Sequence, residues 1–150
     1  MCPKGDDPFT FSKDYRTIEV ATAAAAGSLD GLMKFSFGDS YFYFPADASL
    51  WDSDDCEADV QALSNVDVAS CSRSVVNADN GATYTIQFRE FPLFPVDNNI
   101  YFNDGNPPNS YFKCETYKVT SGTSPTCTIT DVAVTSLPGR QLASLLCRFC

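Results

Sequence analysis

Seven cysteines hold most of the reactive chemistry this chain could perform: Cys2, Cys56, Cys71, Cys114, Cys127, Cys147 and Cys150. Thiolates serve as zinc ligands, redox dithiols or disulfide partners. Only Cys147 and Cys150 stand in CxxC spacing, and a four-thiolate zinc site needs a second such pair. A redox dithiol needs a lowered pKa at a helix N-terminus after a strand, whereas the given sequence stops at Cys150. The remaining cysteines are spread among segments rich in Thr, Ser, Tyr and Phe, the pattern of a secreted β domain stapled by disulfides. Cys56–Cys71 and Cys114–Cys127 are the favoured bridges. Each closes a loop of about 13–15 residues, worth about 3 kcal/mol in the chain-entropy account. The odd count leaves at least one thiol free or paired outside the chain.

The other chemistry-bearing residues are acidic. Histidine is absent, which removes Ser-His-Asp and Cys-His catalysis, imidazole-bound metals and histidine pH switches. Asp52, Asp54, Asp55, Glu57 and Asp59 supply dense oxygen ligands of the kind Ca²⁺ favours. They lack the glycine and the twelfth-position glutamate of an EF-hand, and a capped, solvated helix face accounts for them. A second cluster, Asp97, Asn98, Asn99, Asn103 and Asp104, is explained by turn chemistry. No pair of carboxylates meets a glycosidase spacing rule. The expectation is therefore no enzyme, no cofactor and no metal. Ten basic against nineteen acidic residues give a net charge of −9, which argues against a nucleic-acid partner. No stretch approaches the roughly 20 apolar residues of a membrane span.

The elements that must position these residues are mostly strands. At 150 residues the chain has the length of one domain. Residues 1–16 read as a linker or arm, 17–135 as a β-sandwich domain, and 136–150 as an atypical C-terminal tail. Thr17–Thr22 is the first strand, and the alanines that follow before Gly27 are too few to hold a helix. In Gly31–Phe44, Met33, Phe35 and Phe37 alternate with Leu32, Lys34 and Ser36, and Gly38-Asp39 turns the chain into a hairpin. One helix follows. Asp54 and Glu57 have capping-box spacing, and Cys56, Val60 and Leu63 share one face. Val66–Cys71, Ser74–Ala78 and Thr83–Phe88 are further strands, the last two joined at Asn80-Gly81. After a proline-rich loop come Ile100–Phe102, then Tyr111–Val119 and Cys127–Val134 about the turn Ser121–Pro125. The sum is seven or eight short strands and one short helix: a mostly β, disulfide-stapled antiparallel sandwich, Ig-like in class.

Tyr41, Phe42, Tyr43 and Phe44 are consecutive, so rings stand on both faces of that strand. One face is core, and the other is a candidate assembly interface, where Tyr and Phe are enriched. The interface set is Cys2, Pro3, Phe9, Phe11, Tyr41, Phe42 and Tyr43. The N-terminal arm is the candidate for adding a strand to a neighbour's open edge.

Cys2–Pro8 (CPKGDDP) resembles the C-P-x-G-D-D-P segment that follows EGF-like modules in secreted glycoproteins of tubular flagellar hairs, the mastigonemes. Diatom proteins induced during sexual reproduction belong to the same group. The stretch Leu32–Leu63 is similar to their repeat, with an aromatic hairpin, Ala48-Ser49 and an acidic helix carrying Val60, Ala62 and Leu63. So is Phe91–Val132, with Pro92, Asn98-Asn99, Gly105-Asn106-Pro107-Pro108, Cys114 and Pro125-Thr126-Cys127. The resemblance implies a structural subunit of an extracellular, cell-surface filament, with copies of itself and neighbouring modules as partners. It carries over no catalytic residues. It also implies that Cys2 pairs with or lies close to a neighbouring module. Ser136–Cys150 departs from the family, where an EGF-like module follows.

Met1–Pro8 has no apolar signal-peptide core, so the expectation is a piece of a longer secreted chain or a truncated gene model. No Asn is followed two residues later by Ser or Thr, so O-linked glycans on hydroxyls within Thr120–Thr130, or glycans on modified Pro107-Pro108, are the ones to expect. A competing reading is a carbohydrate- or surface-binding adhesion module in which exposed Tyr and Trp51 stack on sugars.

Overall fold

The computed structural model describes residues 15–92 and 107–132. Among the described residues seven strands form two antiparallel sheets packed as a sandwich: β1 (Arg16–Ala23), β2 (Ala26–Phe37), β3 (Ser40–Pro45), β4 (Val68–Arg73), β5 (Thr83–Glu90), β6 (Phe112–Thr123) and β7 (Thr126–Asp131). The four-stranded sheet has the order β4-β5-β1-β7 and the three-stranded sheet the order β3-β2-β6. The division into four and three strands is that of a constant-type immunoglobulin sandwich. The connectivity is this chain's own, because the β2–β3 hairpin lies within one sheet.

The strands form because their apolar residues recur with period two. Ile18 and Val20 of β1, Met33, Phe35 and Phe37 of β2, Phe44 of β3, and Tyr84, Ile86 and Phe88 of β5 are all buried between the sheets. Their rings make a continuous seam. At one end Phe37 stacks on Phe112 at 4.7 Å between centroids, and Phe88 on Phe112 at 5.2 Å. Phe35 lies 6.3 Å from Phe112 and 5.4 Å from Phe42. At the other end Phe44 stacks on Trp51 at 4.6 Å, and Trp51 meets Tyr84 at 4.7 Å.

Arg16 closes the first end. Its guanidinium is only 3 % exposed, pairs with Asp131, donates to the Pro107 carbonyl at 2.9 Å and lies 5.5 Å above the Phe112 ring. β1 begins at Arg16, so that residue, expected in the arm, is part of the first strand. Expected residues 93–106 and 133–135 of the domain, with Ile100–Phe102, lie outside the described residues, as do the arm to residue 14 and the tail.

The helix, α1 (Ser53–Gln61), packs on β4 through Cys56 and Val60. Its capping box uses a frame two residues earlier than Asp54 and Glu57. The Asp52 carboxylate accepts from the N–H groups of Asp54 and Asp55, and the Asp55 carboxylate accepts from the Asp52 N–H. Overlapping acidic frames made both starts possible, and the burial of Trp51 selects this one. Leu63 is buried just beyond the helix end.

Two further expectations change. Ser74–Ala78 is not a strand. The Asn77 side-chain oxygen accepts from the N–H groups of Asp79 and Gly81 in a turn, and the Ser74 hydroxyl takes the Thr83 N–H that a ladder would need. The last two strands lie in different sheets. β6 pairs with β2 and β7 with β1, so the chain crosses between sheets at Ser124-Pro125. Ser121–Thr123, expected in the turn, extends β6. The β2–β6 ladder shifts register around Gly31, whose φ is +91°. A Cβ there would sit 2.6 Å from the Lys118 carbonyl, so the close approach admits only glycine.

Both favoured disulfides are present, Cys56–Cys71 between α1 and β4 and Cys114–Cys127 between the two sheets. Such bonds form and persist in an oxidising compartment. Among the described residues no helix is long and apolar enough to cross a membrane.

Two predictions follow from this packing. Replacing Cys114 and Cys127 together by Ala should lower unfolding free energy by about 3 kcal/mol in urea titration, in proportion to the loop released. The second concerns Tyr84, which is 1 % exposed and whose hydroxyl donates to the Trp51 carbonyl. Burial, opposed by nearby Arg73 and reinforced by Asp47, pushes its pKa up from 10.0 to about 12. The folded state therefore holds this proton more tightly than the unfolded chain. Its stabilisation is complete below pH 10 and is lost as pH rises towards 12. Tyr84→Phe should flatten that part of the alkaline stability profile measured by chemical denaturation.

Candidate functional site

The outer face of the three-stranded sheet carries the chemistry. On β3, alternation sends Phe42 and Phe44 towards the core and leaves Tyr41 and Tyr43 outside. Tyr41 is 55 % exposed. On β2, Leu32 and Lys34 share the same outer face, each opposite an outer residue of β3 or β6 in the ladder. On β6, Lys113 and Glu115 are exposed, and so are the consecutive residues Tyr117 and Lys118. Consecutive exposure breaks strand alternation. It arises because the β2–β6 register shifts between Leu32 and Lys34, so Leu32 faces Lys118 while Lys34 faces Glu115.

The side chains on this face hold one another in place. The Tyr43 and Tyr117 hydroxyls are hydrogen-bonded at 2.7 Å across β2. The Lys34 ammonium lies 4.5 Å above the Tyr41 ring, and Lys118 lies 4.4 Å above Tyr43. Each such contact contributes about 0.5–1 kcal/mol at an exposed site. Lys34 also pairs with Glu115 at 3.5 Å. Tyr41 and Tyr43 meet edge to face at 5.8 Å. The result is a pre-ordered platform of three phenols and several ammonium groups on a rigid scaffold.

Of the expected interface residues, Tyr41 and Tyr43 stand on this face together. Phe42 does not: its ring packs against Phe35, Phe44 and Trp51, because the period-two alternation that exposes Tyr41 and Tyr43 must turn it inward. Cys2, Pro3, Phe9 and Phe11 lie outside the described residues. Trp51, offered for sugar stacking, is only 5 % exposed, and its indole N–H donates to Asp59 at 2.9 Å. The acidic run is consumed in part by this bond and by the helix cap. Among the described residues no three Cys, Asp or Glu side chains converge as a metal site.

The sequence reading missed Tyr117, Lys34 and Lys118 as members of the face. Tyr117 was accessible to it, because inward Phe112 and Cys114 imply outward Lys113, Glu115 and Tyr117. Lys118 joins only through the bulge, which has no local sequence signal.

The Tyr117 hydroxyl has its pKa raised from 10.0 to about 12, chiefly by the hydrogen bond with Tyr43 and further by the nearby carboxylate of Glu115. In Tyr43→Phe the Tyr117 phenol should ionise closer to pH 10, as followed by ring NMR shifts or ultraviolet absorbance against pH. An unchanged Tyr117 titration would mean that the phenol pair is not formed in solution.

No protein-family model, curated protein or solved structure matches this chain.

Proposed function

We propose that this chain is a structural module of an extracellular filament and that it acts by self-association, as its resemblance to flagellar-hair glycoproteins implies. The observation that carries this reading is the ordered Tyr41–Tyr43–Tyr117 platform with its lysines, presented on a sandwich cross-linked within and between its layers. Tyrosine supplies large contact area at low entropic cost, which suits it to interfaces between subunits. The disulfides suit a domain that works outside the cell, where proteolysis and shear act on it. Beside this face, β3 and β6 are the edge strands of their sheet among the described residues, and β7 is an edge of the other. An edge strand offers backbone groups to which an incoming segment can pair. Residues 2–14 are the proposed donor of that segment, bridging to a preceding subunit or module.

The glycan-binding alternative loses its strongest residue with the burial of Trp51. On Tyr41 and Tyr43 a ring face of each is already covered by a lysine ammonium, which opposes stacking of a sugar there. Glycans carried by the module itself are a separate matter. Thr120, Thr123, Thr126, Thr128 and Thr130 are exposed and supply hydroxyl acceptors for O-linked chains. An intact mass equal to the bare chain would remove them.

The decisive experiment is negative-stain electron microscopy of native material purified without reductant. Regular fibres with an axial repeat of one-domain size are the expected outcome. Monodisperse particles would overturn the filament reading and direct attention to glycan arrays. Removing residues 2–14 should abolish fibres while leaving the far-ultraviolet circular dichroism and thermal melt of the domain in place.

A further inference from the structure

The charge of this protein is unevenly placed. Across the whole chain, acidic residues outnumber basic ones by nineteen to ten. Yet Lys34, Lys113 and Lys118 share the outer face of the β3-β2-β6 sheet, with Glu115 as the carboxylate that faces Lys34. Two of these ammonium groups are held over tyrosine rings rather than left to sample solvent. The opposite charge is gathered elsewhere. Between Ala46 and Ser72 the sequence has seven acidic residues, Asp47, Asp52, Asp54, Asp55, Glu57, Asp59 and Asp67, and no Lys or Arg. Arg73, the next cation, turns its guanidinium to the carbonyls of Ala48 and Trp51. Among the described residues, the ion pairs are Arg16–Asp131 and Lys34–Glu115, so no cation of these residues pairs with a carboxylate of α1.

We propose that the Tyr/Lys face of one copy docks against the acidic α1 shoulder of a second copy of this chain. The inference rests on the filament reading above and assigns its contact surfaces. Three features support it. The charges are complementary, and a chain of net charge −9 has few other ways to use a cationic sheet face. The face is pre-ordered by the Tyr43–Tyr117 bond and the lysine–ring contacts, so docking costs little side-chain entropy. The two surfaces are also distinct, because α1 packs on β4, an edge of the other sheet. A contact between unlike surfaces leaves each copy with one of each unsatisfied, and repetition gives an open chain rather than a closed dimer. An acidic polysaccharide is the competing occupant of the cationic face. The protein's overall negative charge repels it, whereas a second copy brings the fitting surface within the same sequence.

The test is a charge swap on the intact chain, read by sedimentation velocity over a concentration series. One variant carries Lys34→Glu and Lys118→Glu; the other carries Asp54→Lys and Glu57→Lys, which spare the cap residues Asp52 and Asp55. Each alone should associate about tenfold more weakly than the parent, or less. The equimolar mixture should associate again, at least into pairs, since the unaltered Lys face of the second variant meets the unaltered acidic shoulder of the first. Parental association should also weaken as NaCl is raised. Lys34→Gln with Lys118→Gln gives the same loss without placing a new carboxylate beside Glu115. Circular dichroism confirms that each variant is folded. If the variants associate as the parent does, or the mixture gains nothing, this surface assignment is overturned while parental fibres leave the filament reading standing. A parent that stays monomeric overturns both, and retention of that monomer on a sulfated polysaccharide through Lys34 and Lys118 would hand the face to the polyanion.

Discussion

Everything in this domain is arranged around a seam of aromatic rings between two sheets. Phe88, Phe37, Phe112, Phe35, Phe42, Phe44, Trp51 and Tyr84 touch in succession from one end of the sandwich to the other. Rings of this size fill the space between sheets with few residues, and offset or tilted pairs add to the burial term. The space bounded by Val20, Phe35, Phe42, Phe44, Trp51, Tyr84 and Ile86 is too narrow to admit a water molecule. Polar groups at the ends of the seam are used, not wasted. Tyr84 gives its hydroxyl proton to the Trp51 carbonyl, and Trp51 gives its N–H to Asp59.

The seam also determines the outer surface, because alternation couples the two faces of every strand. Once Met33, Phe35 and Phe37 are committed inward, Leu32 and Lys34 must look out. Once Phe42 and Phe44 are inside, Tyr41 and Tyr43 are outside. A surface rich in tyrosine is thus built by the same rule that packs the core. The bulge on β6 opposite Leu32–Lys34 departs from this rule, and it places Tyr117 and Lys118 side by side where strict alternation would have hidden one of them.

Residue patterns alone carried the reading a long way. The β2–β3 hairpin, the buried face of α1 and the two disulfides stand where spacing put them. Each of these is a local signal: period two, period 3.6, or cysteines a short loop apart. What escaped was non-local or degenerate. Sheet membership of β6 and β7 depends on which partner each finds across the sandwich, and no dipeptide encodes that. The capping frame was ambiguous because acids recur at 52, 54, 55 and 57. Phe42 was assigned to the interface with its neighbours because four consecutive rings do not announce which two face in. Trp51, exposed only in the competing adhesion reading, is buried, and one residue beside an acidic run has no periodicity to place it.

The pairing of β1 with β7 has a mechanical meaning. Arg16 begins the first strand and Asp131 ends the last, and the two are bonded to each other in adjacent antiparallel strands. The first and last described strands thus meet at one corner of the sandwich. Tension along the chain would not stretch the domain end to end; the sandwich would hang beside the line of force, like a bead tied by both tails. Load at that corner falls first on the Arg16–Asp131 pair and then peels β7 from β1 one rung at a time, the least resistant geometry for a hydrogen-bonded ladder. The peeling has a fixed limit. After Asp131, Thr130, Ile129 and Thr128 have let go, the strand reaches Cys127, which is covalently tied to Cys114 in the opposite sheet. On the β7 side, therefore, only a few residues can come free before a covalent bond takes the load.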